Sequence, residues 1–181
     1  MTTSIIDRGD ISAELQRARR TLHHLVASAD RGALGRRSDG TRWTNEQLLF
    51  HMVFGFMVVR RLLPLMRLFG HLPPWVGRAF VRVLDVGTMP FHVINYMGSR
   101  GAALVYNRRR VTHKCDQVIA ALQRTLATEP EANFGLSMPF PTRWDPLFTD
   151  RMTLEDLYRY PVRHFDFHAR QLTLDPAPPG G

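Results

Sequence analysis

The chain has 181 residues, 44% hydrophobic and 22% charged. That is enough apolar material for one packed domain and too much for a disordered, collagenous or low-complexity protein. A single cysteine, Cys115, excludes an internal disulfide framework, a multi-cysteine zinc ribbon and an iron–sulfur site. The formal net charge is +8, and Lys114 is the only lysine among 24 basic residues. Such a charge suits an anionic membrane surface or an acidic small molecule. The arginines are scattered in pairs, with one triple at Arg108 to Arg110 and no aromatic residues interleaved as a base-stacking platform requires, so nucleic acid is not an expected partner. No charged leader followed by an apolar run comes after Met1, which points to a cytoplasmic protein.

Apolar periodicity predicts four helices and no strand. The first covers about residues 10–29, capped by Asp10, with Ile11, Leu15, Ala18, Leu22 and Leu25 inward. The second starts sharply at Trp43-Thr44-Asn45-Glu46-Gln47. Thr44 is the N-cap, Gln47 its capping-box partner, and Trp43 stands where a hydrophobic staple would. It is apolar on nearly every face, and Pro64 is expected to kink or end it. Residues 65–105 form a long apolar crossover broken by Pro73, Pro74, Gly77, Gly87 and Pro90, read as short helical pieces wrapping the domain. The third helix spans about residues 107–126, with Val111, Cys115, Val118, Leu122 and Leu126 inward. A loop rich in proline, phenylalanine and tryptophan follows to Arg151, then a fourth helix from Thr153 to near Leu174. The architecture expected is all-α, a four-helix bundle in a single domain over residues 1–174, with a frayed tail at 175–181.

The fourth helix carries the chemistry. Asp156, Arg159, Arg163, Asp166 and Arg170 mark a solvent stripe, and the complementary stripe reads Leu154, Leu157, Pro161, His164, His168 and Leu172. His164 and His168 are one turn apart on the core side, where their rings can converge on one ion. His51, on the second helix, also faces a packed side, and Gly55 one turn on leaves room beside its ring. An imidazole buried without a partner costs roughly 1–3 kcal/mol. A shared divalent metal removes that cost and leaves a coordination position open, the pattern of a catalytic site. The alternative is that each is a core histidine satisfied by hydrogen bonds. His23, His24, His71, His92 and His113 have only that plain reading.

Trp43-Thr44-x-x-x-Leu48-Leu49-x-His51, taken with Tyr160-Pro161-Val162-Arg163-His164-Phe165-Asp166-Phe167-His168-Ala169-Arg170-Gln171-Leu172, resembles the DinB superfamily. More narrowly it is similar to the actinobacterial DinB/maleylpyruvate isomerase-like branch, over about residues 10–174. The resemblance implies a four-helix bundle, frequently a homodimer, holding one divalent metal on His51, His164 and His168. It further implies transferase or isomerase chemistry with a low-molecular-weight thiol, mycothiol or bacillithiol, although such families also hold members with no demonstrated activity. The metal could be zinc, nickel, iron or copper. The expected substrate is a small, partly apolar electrophile, with Arg143, beside Trp144, the candidate to hold an anionic group on it. Cys115, mid-helix on an apolar stripe, is a poor nucleophile. Two other classes stay open: a non-catalytic binding protein stabilised by its metal, and a helical protein acting at an anionic membrane through the 65–105 crossover. That crossover is also where the chain departs from the family, being unusually apolar and proline-interrupted.

Overall fold

The computed structural model describes residues 6–87, 96–98, 101 and 108–174. Helix α1, Arg8–Ser28, is capped three residues earlier than expected: the Asp7 carboxylate accepts the Asp10 N–H and closes the first turn. Its buried stripe is Ile11, Leu15, Ala18, Leu22 and Val26, with Val26 in the place expected for Leu25 because the last step of the stripe is four residues. A short α2, Arg31–Gly35, is capped by Asp30 and leads to α3, Asn45–Gly70. There the Gln47 N–H donates to the Thr44 hydroxyl oxygen and the Thr44 N–H to the Gln47 side chain, completing the predicted capping box.

Pro64 does not end α3, which runs through it to Gly70. Pro64 is exposed, so the hydrogen bond it cannot donate is lost on the wet side, and buried Leu63 and Met66 hold the opposite side in place. By length and hydropathy α3 is apolar enough to cross a membrane, but more than half of its most apolar window is buried against the rest of the protein. Its composition is that of a central core helix. Helix α4, Pro74–Val86, is one of the short pieces expected in the crossover. The rest of the crossover to residue 107, apart from 96–98 and 101, lies outside the described residues, as do His92 and the tail expected to fray.

Helix α5, Arg108–Thr128, buries Val111, Cys115, Val118, Leu122 and Leu126 as its periodicity predicts. A 3₁₀ turn, Glu131–Gly135, precedes a feature the sequence did not announce, an antiparallel pair of β1, Ser137–Pro139, and β2, Arg151–Thr153. Met138 pairs with Met152, and both point into the core. Strands of three residues are too short for alternation to register in a sequence. Helix α6, Leu154–Ala169, opens with a second capping box, Thr153 with Asp156. It stops short of Leu174 because the chain is drawn off it. The Asp39 N–H donates to the Gln171 carbonyl, and Asn45 exchanges two hydrogen bonds with the Thr173 backbone.

The described chain is mostly helical. Helix α3 packs on α5 and α6, α1 packs on the same two, and the four long helices share one apolar core. Because α6 lies beside α1, part of its charged stripe meets α1 rather than water. Arg159 donates to Asp10 and Glu14 at 2.7 and 3.0 Å, and Arg17 grips Asp166 through two bonds. Arg163 and Arg170 remain exposed.

One buried charge ties α3, α5 and α6 together. Glu129, just past α5, has a side chain 1% exposed and accepts hydrogen bonds from Arg67 of α3, Tyr158 of α6 and Asn133. Burial alone would raise its pKa, but these three donors outweigh that and hold the carboxyl below its usual range. Replacing Arg67 with alanine strands this carboxylate and should cost roughly 3–5 kcal/mol in urea unfolding. Glu129→Gln should cost clearly less, since it removes the charge that needs the partner.

Candidate metal centre

The closest approach of α3 to α6 brings the three predicted histidines together. His51 comes from the second turn of α3, and His164 and His168 from successive turns of α6. Their ring centroids are 5.0 Å (His51–His164), 4.8 Å (His51–His168) and 4.5 Å (His164–His168) apart. One potential ligand nitrogen from each lies within 4.8 Å of the others, and all three side chains are buried. Gly55 makes this possible, though the ring it accommodates is His164 rather than His51. A Cβ on Gly55 would sit 2.7 Å from His164 Nδ1.

Each ring is held differently. The Trp43 indole stacks on His51 at a centroid distance of 4.3 Å, so its main visible task is to wall the histidine rather than only to staple the helix start. His168 Nδ1 lies 2.7 Å from Gln171 Oε1. An amide oxygen only accepts, so Nδ1 carries the proton and Nε2 the lone pair. His164 Nδ1 is buried with no hydrogen-bond partner, and its Nε2 is 3.7 Å from Asp145 Oδ2, beyond hydrogen-bond reach.

Burial has the largest effect on the protonation of these rings. It pushes His51 down to about 3, with His168 nearby adding to the effect, and takes His164 well below the ordinary imidazole value. His168 is lowered too, chiefly by burial and against the opposing pull of Gln171 and Asp145. The three rings are therefore neutral at pH 7, the protonation state in which imidazoles bind metals. Three neutral, lone-pair-bearing imidazoles, one nitrogen of His164 without a partner, have the chemistry of a transition-metal site, and among the described residues no carboxylate is part of the group, Asp145 standing 3.7 Å from His164.

Of the other residues singled out, Cys115 is buried in the core and its thiol is pushed up to about 12, mainly by burial. Arg143 is exposed, and the cavity beside the histidines is lined by its neighbours Trp144 and Asp145 instead. Gln171 was within reach of sequence reasoning, lying one turn beyond His168. Asp145 was not, because a loop has no period to place it.

The fold and site define a predominantly α-helical protein with a buried three-histidine group able to hold a metal ion. The family model of the DinB superfamily matches residues 14–172, and the chain belongs to that superfamily. Neither a curated protein nor a solved structure matches the sequence.

Two outcomes follow from this geometry. Gly55→Ala forces His164 away from the cluster and should weaken metal binding tenfold or more in a metal titration, with helicity kept. In the metal-free protein, imidazoles whose folded pKa is depressed give full stability above about pH 6.5 and lose it as pH falls, because the unfolded chain takes up protons that the folded chain refuses. Urea unfolding between pH 7 and 5 should steepen toward about 1.4 kcal/mol per pH unit for each such ring, and His51→Leu should remove about one proton from that slope.

Proposed function

We propose that this DinB-family protein is a metal-dependent enzyme built as a four-helix bundle. It holds one divalent transition metal on His51, His164 and His168 and uses a low-molecular-weight external thiol of the mycothiol kind. The reaction is S-transfer to, or isomerisation of, a small, partly apolar electrophile. The observation that carries the reading is the buried His164 Nδ1 with no partner inside a trio of neutral imidazoles. An unpaired buried nitrogen is a standing penalty of roughly 1–3 kcal/mol that a bound cation would remove.

A divalent cation on three neutral ligands keeps its charge and would favour the thiolate form of a thiol at its open position. The chain's own contribution is positional. Gln171 fixes the His168 tautomer, Trp43 fixes the plane of His51, and Gly55 lets His164 reach the group. The sulfur has to come from outside, because Cys115 is buried in the core with its thiol held protonated. A cytoplasmic homodimer belongs to the same proposal.

A second reading rests on the outer face of α4. Trp75, Val83 and Val86 are 64%, 70% and 87% exposed there, beside exposed Arg78 and Arg82. Apolar residues flanked by arginine suit peripheral contact with an anionic membrane. Salt-sensitive sedimentation with anionic vesicles, lost in Trp75→Ser with Val83→Ser, is the result this reading requires.

Elemental analysis of protein purified without an affinity tag or added metal should find about one equivalent of transition metal per chain, and none in His168→Ala. Thiol-dependent consumption of an electrophile by the wild type, absent from the variant, would then establish catalysis. If metal removal melts the helices and no thiol reaction is found, the ion is structural and the protein a binding module.

A further inference from the structure

His51 and His164 line an apolar cavity whose contents the family reading does not specify. The cavity has a volume of about 130 Å³ and opens to solvent. Phe54, Val58 and Leu62 of α3 form its floor, Phe80 and Leu84 of α4 its roof, and Trp144 a side wall. Its polar groups are few: His51, His164, Asp145 and Tyr160. Tyr160 keeps its proton, since burial and the neighbouring Asp145 both raise its pKa.

We infer that this cavity binds an uncharged, hydrophobic small molecule, an alkyl chain or aromatic body bearing one polar group, with that group against His51 and His164. Three observations carry the assignment. Although the chain has 24 basic residues, no arginine or lysine lines the cavity among the described residues, so in the metal-free protein an anionic body finds no cationic side chain there. The one acidic side chain in the wall, Asp145, is 3.7 Å from His164 and would repel a carboxylate at the polar end. A water-soluble reactant has a separate place beside His168, for a second cavity lined by Thr41, Arg42, Trp43, Gln171 and His168 shares no residue with the apolar one. The apolar cavity is thus free to select by hydrophobic surface alone.

The inference leans on the metal reading only for the fate of the ligand's polar group; binding itself needs no metal. Calorimetry on the metal-free protein with 1-butanol to 1-nonanol should show affinity rising about three- to fourfold per methylene until the cavity is filled. Octanoate should bind at least tenfold more weakly than 1-octanol. Val58→Phe, which puts a ring into the empty space beside α3, should abolish alcohol binding while leaving the metal titration unchanged. Leu84→Trp does the same from the roof should the first variant fail to fold. A chain-length series with no trend, octanoate binding as well as octanol, or full alcohol binding in the filled variants would overturn the inference. Alcohol binding without metal uptake would sink the metal reading and leave this one standing, and metal uptake without alcohol binding would do the reverse.

Discussion

The contact between His164 and the bare backbone of Gly55 governs the centre of this molecule. Only a residue without a Cβ lets the imidazole lie so close to α3. That approach brings His51, four residues earlier on the same helix, into the group with His164 and His168. Two capping boxes, at Thr44 and Thr153, start the two helices at defined residues and so set which turns face each other. Geometry that would be lost to a single added methyl group is thereby fixed by the helix starts and by one glycine.

Two of the buried polar groups among the described residues are resolved in opposite ways. Glu129 is a full charge in an apolar setting, and the chain satisfies it completely with Arg67, Tyr158 and Asn133. The histidines avoid charge altogether: burial keeps the rings neutral, and one nitrogen of His164 is left without a partner. A protein able to surround a carboxylate with three donors could have satisfied an imidazole. An unpartnered nitrogen inside a group of three histidines able to hold a metal ion fits a place for something the chain does not itself supply.

Around that place the walls divide by polarity. One cavity is apolar, roofed by α4 and bordered by His51 and His164; the other carries Thr41 and Arg42 and is bordered by His168. Such a division suits a reaction between a hydrophobic molecule and a water-soluble one, each reaching the same centre through surroundings like itself. The core environment that protonates Cys115 removes the chain's one thiol from contention. The thiol of the proposed reaction therefore has to be an external one.

Periodicity and capping chemistry are local, and the sequence by itself determined what they govern: the four long helices, the Thr44 start, the buried stripe of α5, and the presence of His164 and His168 on the core side of α6. His51 was legible for the same reason. What depends on contacts between distant segments was not. The end of α6 is set by Asp39 and Asn45, more than a hundred residues away in the chain. The partner of Gly55 is set by how α3 and α6 face each other, and the place of Asp145 by a loop without a repeat. The passage of α3 through Pro64 turned on which side of the helix was wet. Local pattern names the elements and the residues they offer; only tertiary packing decides which of those residues meet, because that choice is made by shape and desolvation rather than by spacing along the chain.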